Sequence, residues 1–205
     1  MKKIGLTGGI AAGKSTVSAH WQQAGAVVIE SDLLAHRAYE PNTATYAEVV
    51  EVFGQEVLNP DQTINRRTLG EIVFADDQKR LALNRVVHPA VRVMWTEQLE
   101  QLERAGQTAV AVAAIPLLYE VGAESQFDWV VAVGCSEQTQ LARLAAKGMT
   151  AAHAQARIRS QWPLQMKMDR ADFVIWNDGQ LEWLHQQAGV IWEKIKESSH
   201  APSKS

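Results

Sequence analysis

The stretch Gly8-Gly9-Ile10-Ala11-Ala12-Gly13-Lys14-Ser15 has the spacing G-x-x-x-x-G-K-[ST], and each residue type in it has a chemical use. Glycines let a backbone turn successive N–H groups toward one point, where they can hold an anion. Lys14 is spaced to bridge the terminal phosphates, and the Ser15 hydroxyl to ligate Mg²⁺. The apolar run "KKIGLT" (2–7) precedes the loop and the amphipathic stretch "KSTVSAHWQQAG" follows it. A strand feeding such a turn into a helix adds the positive end of a helix dipole to the cradle. Gly9, Ala11, Ala12, Gly13, Lys14, Ser15 and Thr16 are therefore the candidate nucleotide-binding residues. Ala11 and Ala12 stand where glycine or serine is common, which predicts a less adaptable loop. The phosphates are expected to be those of a nucleoside triphosphate.

What receives a phosphoryl group is a separate question. No Asn-Lys-x-Asp and no Asp-x-x-Gly occurs, so the guanine reader and the γ-phosphate sensor of a switch GTPase are missing. The strand "AVAVAAI" runs into Pro116, where a large ATPase commonly carries a magnesium-binding Asp. A small-molecule kinase is left, and it needs a lid against water. Asp32 follows the apolar run "AVVIE" (26–30), and ligands of parallel sheets collect beyond the carboxyl ends of strands. Its carboxylate suits a general base for a hydroxyl acceptor. It equally suits the N-cap of the helix begun by "LLAHRAY", and position alone leaves both roles open.

These residues need a frame. Five short runs rich in Val, Ile and Ala read as buried parallel strands: 2–7, 26–30, 108–115, 128–133 and 172–176. Helical patterns lie at 14–24, 66–74, 77–105, 137–147, 150–161 and 180–197. Alternation of the two predicts an α/β fold, a five-stranded parallel sheet flanked by helices. Two helical excursions interrupt it. Residues 33–105 suggest an acceptor lobe, and residues 137–170, carrying Arg143, Lys147, Arg157, Arg159, Lys167 and Arg170, a lid, although composition alone favours solvated faces for these charged helices. All of this reads as one kinase domain over 1–197, with a disordered tail at 198–205.

Composition bounds the remaining possibilities. The 205 residues are 46% hydrophobic and 21% charged with net charge −3, which argues against a general nucleic-acid binder. No apolar run is long enough to span a membrane and none before the glycines resembles a signal peptide. The lone Cys135 can form no internal disulfide and has no redox or metal motif around it, so a cytoplasmic location is expected. His88-Pro89 breaks a long helical pattern and predicts a kink, with His88 at the border of the acceptor site as its alternative use. Pro116, Leu117 and Glu120 are expected to shape the acceptor cleft. Asn177, in the turn signal "WNDG", is spaced either to contact adenine or to close that turn. Trp183 and Trp192 are expected in the core.

Taken in order, these segments resemble the dephospho-coenzyme A kinase family. Leu6 to Thr16 match its "LTGGI-x-x-GK[ST]T" loop, and "VIESDLLA" its "[VI]-x-x-D" segment. Ile64 to Phe74, His88-Pro89, Pro116 to Glu120, Gln140 to Arg143, Arg157 to Gln161 and Ala171 to Asn177 match its later motifs. The likeness covers about residues 3 to 180. It implies ATP and Mg²⁺, with transfer to the ribose 3′-hydroxyl of dephospho-coenzyme A. It also implies that Asp32 is the base, that Lys14 steadies the transferred group, that Arg143 and Arg157 close over the phosphates, and that Arg66 contacts acceptor phosphates. Three positions depart from the pattern: Glu30 for a common Asp, His36 for a common Arg beside Arg37, and Lys147 for a frequent second lid arginine.

Overall fold

A computed structural model of the chain describes residues 1–198. Of the expected tail, only Ser198 lies among them, and its carbonyl accepts from Lys2 Nζ at 2.6 Å; the rest falls outside the described residues. The chain divides into two compact units, one of Met1–Glu30 with the chain from Leu99 onward, the other of Ser31–Gln98.

The first unit is built on five parallel strands: β1 (Lys2–Gly8), β2 (Val27–Glu30), β3 (Val110–Ala114), β4 (Trp129–Gly134) and β5 (Phe173–Trp176). Their order across the sheet is β2-β3-β1-β4-β5. The central β3 and β4 are buried along their whole length, which is why they read as unbroken apolar runs. Edge strands β2 and β5 are shorter and partly exposed. Register places Gly8 opposite Val133 and Glu30 opposite Ala114. The carboxyl ends of β2 and β3 are thereby level with Leu6, and β1 runs two residues further to Gly8, where the phosphate-binding turn leaves the sheet.

Helices α1 (Lys14–Gln23), α6 (Glu137–Ala146), α7 (Ala151–Arg159), α8 (Leu164–Arg170) and α9 (Leu181–Glu197) complete this unit. Trp21 is fully buried, donates from Nε1 to Ala188 O at 2.9 Å and stacks on Trp192 at 6.2 Å, which joins α1 to α9. Trp192 is thus core, as expected. Trp183 is not, being 58% exposed. The buried face of α9 runs Leu184, Ala188, Ile191, Ile195, and Trp183, about 100° around the helix from Leu184, lies against Gly179 instead.

The second unit is helical, with α2 (Ser31–Ala38), α3 (Ala44–Phe53), α4 (Arg66–Ala75) and most of α5 (Asp77–Ala105). Thr43 and Asn65 cap α3 and α4 by accepting from Tyr46 N and Thr68 N, the use these short polar side chains have at helix starts. Helix α5 continues through Pro89 without a break, and Pro89 is exposed, where water can take the backbone bond that proline forgoes.

Candidate active site

The turn after β1 is held from its carbonyl side. Gln140 Nε2 donates to Ile10 O at 2.8 Å, and Asn177 Nδ2 to Ala12 O at 2.7 Å. The Arg143 guanidinium donates to Ala11 O at 3.1 Å, Ala12 O at 3.4 Å and Asn177 O at 2.9 Å. Gln161 Oε1 accepts from Ile10 N at 3.1 Å. Three successive carbonyls are therefore fixed by side chains from α6 and the β5–α9 turn, while Gln161, just past α7, takes the Ile10 N–H. Because each peptide is a rigid dipole, fixing the carbonyls directs the opposite edge of the turn. The amides of Ala11, Gly13, Lys14 and Ser15 find no acceptor among the described residues. They form a cluster of donors at the start of α1, the arrangement that binds a phosphate chain.

Two backbone positions maintain this shape. Gly13 has φ 107°, and a Cβ there would overlap the Asn177 amide. Ala11 has φ 58°, a left-handed conformation that costs a residue with a Cβ about 1 kcal/mol or more. The Arg143 guanidinium braces this strained residue through its carbonyl. Asn177, only 6% exposed, spends its side chain on the loop. Arg143 lies against the loop's carbonyls, on the side away from the free amides.

Lys14 Nζ is 3.5 Å from Glu30 Oε2, and Glu30 Oε1 accepts from Ser18 Oγ at 2.7 Å. Ser15 is exposed on the first turn of α1. Among the described residues no three His, Cys, Asp or Glu side chains gather as a metal cage. An exposed hydroxyl beside a phosphate cradle instead fits Mg²⁺, which is commonly held through one or two protein groups and the substrate's phosphates.

The loop after β3 is anchored by a buried cation. Lys167 is fully buried and donates to Glu120 Oε1 at 2.8 Å and Pro116 O at 2.8 Å. Pro116 O also accepts from Thr7 Oγ1 at 3.1 Å, and Glu120 Oε1 from Trp162 N at 2.9 Å. Burial pulls the Lys167 ammonium below its usual range and Glu120 opposes that shift. Lys167, counted from sequence among the lid cations, is an internal strut. Leu117 lies in the same loop, partly exposed. Lys147 is exposed at the end of α6. Arg157 on α7 is half-buried, and burial lowers its guanidinium from the ordinary value. Burial likewise pushes the Cys135 thiol up, away from reactive thiolate character.

In the second unit, Asp32 is exposed in the first turn of α2, which begins at Ser31. It is inside the helix and so is not its N-cap. His36 lies one turn on, on the same face. Arg66, at the start of α4, donates to His36 Nδ1 at 3.1 Å; a guanidinium has only donors, so Nδ1 accepts and the imidazole is neutral. Partial burial and then Arg66 hold the His36 pKa below 6.5, with Asp32 pulling the other way. His88 is on α5, partly exposed.

Sequence reasoning assigned no role to Gln140 or Gln161. The available signal was spacing: Gln140 and Arg143, three apart, share one helix face.

A parallel sheet with a G-x-x-x-x-G-K-[ST] turn at the end of its first strand, amides outward and a helix behind, defines a P-loop nucleotide-binding protein of the small-kinase type. The family model described as dephospho-CoA kinase matches residues 2–182. A dephospho-CoA kinase of Symbiobacterium thermophilum is 45% identical over 193 residues, covering 94% of this chain and 80% of that protein. Among solved structures, TT1252 from Thermus thermophilus aligns at TM-score 0.76 and 33% identity over 94% of this chain and 97% of its own. A dephospho-CoA kinase from Campylobacter jejuni aligns at TM-score 0.64 and 26% identity, over 96% and 98%. The chain belongs to the dephospho-CoA kinase family.

Proposed function

We propose that the protein transfers the γ-phosphoryl group of ATP to the ribose 3′-hydroxyl of dephospho-coenzyme A, the last step in making coenzyme A. The observation that carries this reading is the braced loop with its four free amides, in a chain whose family match runs over residues 2–182. The loop amides and Lys14 hold the phosphate chain and offset the charge that spreads over the transferred group. Ser15 is the residue that would hold Mg²⁺, which supplies charge neutralisation on the phosphate oxygens when bound. Asp32 takes the proton of the 3′-hydroxyl as its oxygen bonds to the γ-phosphorus. The bond from that phosphorus to the bridging oxygen breaks, and ADP leaves.

The other residues take supporting roles. Arg143, Asn177, Gln140 and Gln161 brace the loop. Arg157 and the exposed Lys147 reach the phosphates when the α6–α7 segment closes, and the unit Ser31–Gln98 receives the acceptor, with Arg66 on its phosphates and His88 at its border. Pro116, Leu117 and Glu120 line the acceptor's path. Both substrates are small molecules, and the reaction is one of the cytoplasm. No helix among the described residues is long and apolar enough to cross a membrane.

A coupled assay with ATP, Mg²⁺ and dephospho-coenzyme A tests the proposal, with nucleosides and nucleoside monophosphates run beside it. ADP formation that depends on dephospho-coenzyme A is expected. Well-folded protein that turns over only another acceptor, or none, refutes it.

A further inference from the structure

The carboxylate of Glu30 ends strand β2 facing the phosphate loop across β3. Its two oxygens are used differently. Oε1 accepts at 2.7 Å from the hydroxyl of Ser18, a residue only 3% exposed whose single hydrogen favours this shorter contact over Ser15 O at 3.1 Å. Oε2 is left to face Lys14 Nζ at 3.5 Å, with side-chain exposures of 13% for the lysine and 26% for the acid. A buried hydroxyl thus sets the rotamer of an acid whose other oxygen holds the one ammonium of the phosphate loop.

We propose that Glu30 is a positioning residue, a latch that holds Lys14 when the loop is empty and that a triphosphate must displace to bind. This rests on the proposed ATP-binding role of the loop and adds to it the competitor for its lysine. Lys14 cannot serve both anions with full strength, because the phosphates bind beside the loop amides and Glu30 lies at the end of another strand. Opening the latch leaves a carboxylate without its cation close to an incoming polyanion, and both effects weaken ATP binding. The latch depends on reach. An Asp at the same place is one carbon shorter, about 1.5 Å, and starting from 3.5 Å its oxygen falls outside ion-pair distance of Nζ.

The sign of the effect separates a latch from a support. Titration calorimetry of Mg·ATP against the full chain, without acceptor, compares wild type with Glu30→Gln and Glu30→Asp. AMP serves as a ligand that lacks the terminal phosphates Lys14 would meet. Both variants are expected to bind ATP about two- to fivefold more tightly, the strength of a partly exposed ion pair, with AMP affinity unchanged. The Asp variant keeps the charge, so tightening there cannot come from removing a negative field. Three results overturn the latch: ATP affinity unchanged in both variants, tightening in the Gln variant alone, or weakening in either. If wild type itself binds no ATP, the reading of the loop fails and not the latch alone.

Discussion

Arg143→Ala removes the guanidinium behind the phosphate loop. Two of its bonds, at 2.9 Å to Asn177 O and 3.1 Å to Ala11 O, are short enough to count, while the one at 3.4 Å adds little. Charge-assisted bonds of this kind contribute about 1.5 kcal/mol each, and water recovers part of that at a half-exposed site. Ala11 is meanwhile free to leave its left-handed conformation at φ 58°, releasing about 1 kcal/mol that must be returned when ATP binds. Bonds made alike in the free and the ATP-bound protein cancel in the affinity, so the loss is set by that relaxation, about 1 kcal/mol or roughly fivefold in ATP affinity. ADP should lose the same factor, because the loop surrounds phosphates that both nucleotides share. Adding Ala11→Gly should recover several-fold, since glycine adopts positive φ without strain. Calorimetric Kd values for ATP and ADP, beside kcat, decide the matter. ADP affinity unchanged while kcat collapses would show that Arg143 acts on the transferred phosphoryl, and the bracing argument would be refuted.

Other substitutions probe the remaining parts. Asp32→Asn should leave ATP Kd within about twofold and lower kcat by ~10²–10⁴, the usual worth of a general base; unchanged kcat removes Asp32 from the chemistry. Lys167→Met leaves the Glu120 carboxylate buried without its cation and should destabilise by about 3–5 kcal/mol in urea unfolding. Pairing it with Glu120→Gln should recover a good part, and a double variant as unstable as the single contradicts the strut. His36 is held below its ordinary pKa, so the folded state favours the neutral ring. The resulting stabilisation is complete above pH 6.5, the unfolded value, and is lost as pH falls through the lower folded midpoint. NMR should find that midpoint below 6.5, with KM for the acceptor rising as His36 protonates and releases Arg66. A midpoint at or above 6.5 contradicts the observed pairing.

The sheet was legible because strands buried on both faces leave a nearly continuous apolar record, and β3 and β4 are buried throughout. The phosphate loop was legible because its glycines and Lys-Ser pair are adjacent in sequence. What sequence hid is non-local or chemically ambiguous. Arg143 and Asn177 reach the loop across more than 130 residues of chain, so no local spacing shows that both hold it. Lys167 reads as a surface cation, since lysine is seldom fully buried; only the pairing with Glu120 and Pro116 makes its position tolerable. Trp183 reads as core because it falls among apolar residues at helical intervals, although it stands one residue off the buried face. For Asp32, position alone fits both cap and base; α2 starts at Ser31, which places Asp32 inside the helix rather than at its cap.

The central claim is that one particular oxygen receives the phosphoryl group, and ³¹P NMR of a completed reaction with dephospho-coenzyme A reads this most directly. A new phosphomonoester resonance coupled to the ribose 3′ proton, growing in step with ADP, is expected. A phosphate carried at any other position, or ADP appearing with inorganic phosphate alone, contradicts it.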